Sequence, residues 1–175
     1  LRGEVPHRLR KDRRLKRLAA SAAQSAVFND VVRRRIESET THTALLGDRL
    51  NRTTERGQLV VTAENQEPAQ TELDAGELAV TGPMVGPKMF DVYEEALEIE
   101  EAALTQFELS REQFATLRKL TPGTRRDLFA RFLEPPSVRA SEHGIQIGFS
   151  LPSGSYATVV LAELIKLDFS SRDAP

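Results

Sequence analysis

The sequence predicts a mixed α/β (α+β) fold, and three observations carry that expectation. Residues from Arg13 to about Glu37 repeat apolar side chains at helical spacing. Two β-branched runs, at 58–62 and 77–81, read as strands. Near the end of the chain a strand, a tight corner and a helix follow one another in quick succession.

Composition narrows the class. Over 175 residues, a hydrophobic content of 39% with 29% charged residues is that of a globular chain able to bury a core. No apolar run approaches the ~18 residues of a membrane helix, and the start carries no signal-peptide pattern. Zero cysteines exclude disulfides, thiolate metal sites and a cysteine nucleophile, and fit a cytoplasmic setting. The net charge of −2 does not announce a nucleic-acid binder. Its distribution is more telling. Residues 1–17 hold Arg2, Arg8, Arg10, Lys11, Arg13, Arg14, Lys16 and Arg17 against Glu4 and Asp12, whereas 91–101 are acidic. The chain opens on Leu1 rather than methionine, and the expectation is a piece of a longer protein.

Residues 1–12 read as a basic arm. In the helix that follows, Leu15, Leu18, Ala22 and Ala26, then Phe28, Val32 and Ile36, make a broad apolar face, and the alanine-rich middle favours helix. Ser21, Ser25 and Asn29 form a polar stripe beside Gln24, either a solvated face or a row lining a cleft. Arg49–Arg52 and Gln58–Thr62 are short strands about a Thr53–Gly57 turn, 63–76 a surface loop or short helix, and Glu77–Thr81 a third strand. The Gly-Pro steps of Gly82–Met89 impose a fixed, non-regular path without Walker spacing. Asp91–Glu108 is an acidic amphipathic helix with Val92, Ala96, Ile99, Ala103 and Phe107 inward, its carboxylates a solvated face rather than a metal or acid/base site. Ser110 and Gln113 form a capping box opening a helix at 111–119, with Phe114 and Leu117 inward. After Pro122-Gly123, Leu128–Glu134 reads as a strand, Pro135-Pro136 as a turn, and Val138–Ala140 as the first arm of a hairpin through His143-Gly144 into Ile145–Leu151.

The corner is Pro152-Ser153-Gly154-Ser155, with Ser155 a candidate N-cap and Ala157, Val160, Leu161, Leu164 and Ile165 at helical spacing beyond it. Unpaired N–H groups at a helix start favour an anion. On its residues alone the corner is either an ordinary connection or a small anion- or nucleotide-binding site. His7, His42 and His143 share no ligand spacing, so no metal is expected. No nucleophile elbow, zincin motif or dinucleotide fingerprint occurs.

Leu151-Pro-Ser-Gly-Ser-Tyr-Ala-Thr158, running into Val-Val-Leu-Ala-Glu-Leu164, resembles the C-terminal signature of the TruD family of tRNA pseudouridine synthases. That signature is Leu-Pro-x-Gly-Ser-aromatic-Ala-Thr entering a helix with Arg-Glu-Leu, and Ala162 stands where the family carries arginine. Upstream, Ser21-Ala-Ala-Gln-Ser-Ala-Val-Phe-Asn29 resembles the family's Ser-Ala-x-x-Ser-x-x-Phe-Asn helix, and Thr81-Gly-Pro-Met-Val-Gly86 its Thr-Gly-Pro-x-x-Gly segment. The resemblance runs from about Leu15 to Leu167.

It implies isomerisation of a tRNA uridine to pseudouridine without a cofactor, dependent on an aspartate in a Gly-x-Lys-Asp-x-x-Ala-x-Thr-x-Gln motif. That motif is not in this sequence, nor is the family's Phe-Gly-x-Gln-Arg-Phe-Gly segment. The resemblance therefore implies a segment of the catalytic core with a mixed α/β inserted domain: residues 1–130 as most of the TRUD-type insertion and 131–175 as the C-terminal return to the catalytic domain. Such a chain is inactive alone and has the N-terminal half as a partner. No catalytic residue is expected here. Tyr156 matches the aromatic position that contacts substrate, where a base flipped out of folded RNA needs an apolar wall, with Ser155 and Thr158 as polar supports. Arg13, Arg14, Lys16 and Arg17 are the candidates for tRNA-backbone contact, or else a solvated arm. Arginine absent at 162 removes a bidentate anchor beside the corner. The alternative reading is a non-catalytic RNA-binding or scaffold module derived from the same family.

Overall fold

The structure is a computed structural model that describes residues 12–142, 144–152 and 157–165. It is α+β, and it divides between Leu128 and Phe129 into two compact units.

The first unit begins with α1, Arg13–Glu37, whose N-cap Asp12 accepts hydrogen bonds from the backbone N–H of Arg14 (2.8 Å) and Leu15 (3.0 Å). The helix has the expected limits but a different inner face. Ala20, Gln24, Val27, Phe28, Val31 and Arg35 are buried, a stripe at true helical spacing, while Leu18 and Ile36 are 65% and 55% exposed. The hydrophobic pattern pointed elsewhere because two members of the real stripe are polar. Both are satisfied inside: Gln24 Nε2 donates to the Val85 carbonyl at 2.8 Å, and Arg35 donates to Asp48. Of the expected polar stripe, Ser21 and Ser25 are half-buried and Asn29 is exposed.

Beneath α1 lies a four-stranded antiparallel sheet, in the order β2–β1–β3–β4, of β1 (Arg49–Arg52), β2 (Gln58–Val60), β3 (Leu78–Met84) and β4 (Thr124–Asp127). Leu50 pairs with Leu59 on one side and Val80 on the other, and these residues join Val27, Phe28, Val31 and Leu128 in the core. Helix α2 (Gln66–Asp74) occupies the expected polar stretch and contributes Ala69 and Leu73. Two expectations are corrected. The irregular path does not begin at Gly82, because β3 continues through Gly82-Pro83 to Met84. Pro83 is tolerated there since β1 pairs only as far as Val80, leaving an edge, while β4 lies opposite with Arg125 facing Pro83. Gly82 is needed for closeness: a Cβ there would lie 2.8 Å from the Phe28 ring and from a Leu128 methyl. The strand expected at Leu128–Glu134 lies instead at Thr124–Asp127, a charged stretch held by pairing with β3.

The irregular segment proper runs over 85–93 and buries Met89 and Val92. Gly86 and Gly123 touch backbone to backbone, so a side chain on either has no room. Helix α3 spans Glu94–Gln106, and α4 spans Arg111–Thr116, shorter than expected. The α4 capping box is formed in full, with Gln113 N–H donating to Ser110 Oγ at 3.3 Å and Ser110 N–H donating to Gln113 Oε1 at 2.9 Å. Phe107, expected inward, is exposed at the end of α3, where Leu104 takes the core position.

The second unit holds an antiparallel ribbon of β5 (Ser137–Ser141) and β6 (Gly144–Gly148), then α5 (Ala157–Ile165). Phe132 and Phe149 meet edge to face at 5.7 Å between ring centres, and Leu133 N–H donates to the Ser150 carbonyl at 2.9 Å.

Candidate functional site

Two places carry the expected site residues, one in each unit. In the second unit Leu151 and Pro152 are half-buried at the end of the ribbon. Ser155 and Tyr156 lie outside the described residues. Thr158 sits in the first turn of α5 and is exposed, and Ala162 is half-buried one turn further on. The apolar side chains of this unit are widely uncovered: Leu133, Val138, Ile145, Val159 and Leu164 are all exposed, Ile145 by 73%.

In the first unit the basic start of α1 is ordered as helix. Arg13, Arg14, Lys16 and Arg17 are all exposed, and at 3.6 residues per turn they share an arc of about 160°. Arg13 has the turn after α4 beside it. It lines a surface cleft of about 430 Å³ together with Thr116, Leu117, Arg118, Lys119 and Leu120, the turn that follows α4. Sequence reading does not single out Arg118 and Lys119. The signal in the sequence is slight, an adjacent Arg-Lys pair just before the Pro122-Gly123 break.

The acidic helix is not wholly a solvated face. Glu100 is buried, accepting from Arg125 at 2.6 Å and from Arg111 at 3.2 Å, while Arg111 also reaches Asp91 at 3.1 Å. A carboxylate at an inward helical position survives burial when a guanidinium meets it, and no periodicity shows that partner. The other carboxylates of interest are similarly occupied. Burial pushes the Asp48 carboxyl above its ordinary value, against the pull of the Arg35 charge and the Leu45 N–H. At Asp30 burial acts in the same direction, but hydrogen bonds from Arg33 and Arg34 outweigh it and hold the carboxyl below the usual range. Among the described residues no group of three or more His, Asp or Glu side chains is arranged to hold a metal ion, and no helix is long and apolar enough to cross a membrane.

Fold and surface define the class first: a two-unit α+β protein with a helix-backed antiparallel sheet and a cluster of exposed cations at one helix start. Comparison with known proteins then narrows it. A family model described as tRNA pseudouridine synthase D (TruD) matches residues 9–164. The tRNA pseudouridine synthase D of Pectobacterium atrosepticum is 32% identical over 158 residues, covering 89% of this chain and 44% of that protein. One from Thermus thermophilus is 33% identical over 155 residues, covering 88% and 41%. A crystal structure assigned to tRNA pseudouridine synthase D (TruD) from Methanosarcina mazei superposes with a TM-score of 0.68 at 26% identity, over 83% of this chain and 37% of that one. The chain belongs to the TruD family. It spans less than half the length of the curated relatives it matches.

Proposed function

We propose that this chain is the C-terminal portion of a tRNA pseudouridine synthase, which isomerises a uridine in tRNA and draws its catalytic aspartate from a segment outside this sequence. Residues 1–130 are the inserted domain and 131–175 the return into the catalytic domain, and the setting is cytoplasmic. The observation that carries this reading is the family match across residues 9–164 in a sequence that lacks the Gly-x-Lys-Asp motif. The second unit supports it. A two-stranded ribbon is marginal on its own, and this one leaves Val138 and Ile145 uncovered, as an element does when its partner strands belong to another segment.

In this reading the corner supplies one wall of the pocket for the flipped uridine, with Tyr156 against the base and Ser155 and Thr158 offering hydroxyl groups to its polar edge. Arg13, Arg14, Lys16 and Arg17 contact tRNA phosphates. The chain contributes positioning, and the bond-breaking group comes from elsewhere.

The test is an assay for pseudouridine in tRNA, run on this chain alone and on the chain joined to a family segment bearing the aspartate motif. Product is expected only from the joined protein, and Tyr156→Ala in that protein lowers turnover by about 100-fold, the scale set by misplacing a reacting group by ~1 Å. A folded joined protein without activity overturns the enzymatic reading, and an unaffected Tyr156→Ala overturns the pocket assignment. The absence of the aspartate motif from the sequence also favours a second reading, a non-catalytic RNA-binding module. That reading predicts tRNA binding with no product in either format.

A further inference from the structure

Among the described residues, six arginines of the first unit are matched by acids. Arg33, Arg34, Arg35, Arg52, Arg111 and Arg125 each make an ion pair. Arg13, Arg118 and Lys119 do not: all three are exposed, and none is ion-paired among the described residues. Yet they come from opposite ends of the unit in sequence and share one cleft, walled by Thr116, Leu117 and Leu120.

Like charges gathered in one place repel one another, and nothing lining the cleft offsets that cost. The nearest acid in sequence to Arg13 is Asp12, whose carboxylate is already engaged by the N–H groups of Arg14 and Leu15. Glu112, on the helix before the turn, lines a different cleft with Asp91 and Arg111. The positive surface continues instead along α1 through Arg14, Lys16 and Arg17. A row of cations on two elements, with no acid lining the cleft they share, suits a ligand that carries a charge at each repeat. RNA backbone has that chemistry, because each phosphate neutralised by a cation releases condensed counterions.

We propose that Arg118 and Lys119, together with Arg13, form an RNA-backbone site on the first unit, which extends the basic face of α1 onto the turn after α4. It rests on the reading of the chain as part of a tRNA-acting protein. The occupant is a run of phosphates held through charge without base readout, so the site adds affinity and salt dependence and contributes no sequence preference.

The test measures tRNA binding by the full chain over a range of salt concentrations. Three proteins are compared: wild type, Arg118→Gln/Lys119→Gln, and a control that removes the same charge elsewhere, Arg56→Gln/Lys88→Gln. All four substituted residues are exposed, and circular dichroism checks that folding is unchanged. The first variant is expected to lose about 10-fold or more in affinity at moderate salt. Its slope of log affinity against log salt should fall by roughly 1.5, near 0.7 to 0.9 for each phosphate left without a cation. The control should change by less than half of that. If the two variants lose equally, or if the first keeps the wild-type slope, the cleft is not the site while the tRNA reading stands. If wild type itself shows no salt-dependent tRNA binding, the cleft proposal and that reading both fall.

Discussion

Arg125 is enclosed, and each of its nitrogens has an acceptor: Nε donates to Thr81 Oγ1 at 2.7 Å, Nη1 to the Phe90 carbonyl at 3.2 Å, and Nη2 to Glu100 at 2.6 Å and the Thr81 carbonyl at 3.1 Å. Taking away one member of such a pair strands the other charge in the interior. Glu100→Ala should therefore lower the free energy of unfolding by about 3–5 kcal/mol in urea titrations. The double variant with Arg125→Met should recover part of that loss; a double variant as unstable as the single one would show that the pair is not the cause. Asp30 offers a pH test. Burial alone would raise its carboxyl, but the hydrogen bonds from Arg33 and Arg34 bring it below its ordinary value, so the folded state favours the ionised form. The stability it contributes is present above the unfolded value of about 4 and is lost as pH falls through the lower folded value. Unfolding free energy measured from pH 6 downward should decline less steeply in Asp30→Asn than in wild type. Equal slopes would remove Asp30 from the acid response.

Among the elements, the close approach of α1 to the sheet depends on one missing side chain. Gly82 on β3 lies against Phe28, and an added methyl would sit 2.8 Å from the Phe28 ring and from a Leu128 methyl. Gly82→Ala should cost about 1–3 kcal/mol through overpacking, read as a lower urea midpoint with an unchanged slope. Because the clash is with the ring, Phe28→Leu in the same protein should relieve part of the loss. The boundaries of α1 and the Ser110–Gln113 capping box could be read locally, since cap and periodicity are written in adjacent residues. β4 could not. In Thr124-Arg-Arg-Asp only Thr124 favours a strand, and the segment is one because β3 offers it a ladder and Glu100 neutralises the residue it turns inward.

For the chain as a whole, the core cluster of the described residues lies in the first unit, running from Val27 to Leu128. A protein of residues 12–128 should keep its helical circular dichroism and unfold cooperatively in urea. Residues 129–175 alone should show no cooperative transition, because the elements among the described residues, a two-stranded ribbon and one helix with exposed Val159 and Leu164, do not close a core. A cooperative transition in the shorter piece would overturn the view that it needs a covering partner.

Features carried by near neighbours were legible without any coordinates: the long α1 with its limits, the strands β1 and β2, the capping box, the hairpin, the family signatures and the basic start at Arg13–Arg17. Tertiary structure alone decided which polar groups go inside and which cations stand together. Gln24, Arg35, Glu100 and Arg125 are buried because Val85, Asp48 and Thr81 reach them from elsewhere in the chain, and Arg118 and Lys119 join Arg13 because α4 ends beside the start of α1. Periodicity reports the cost of leaving a side chain in water. It carries no information about a distant partner that removes the cost of burying a charge.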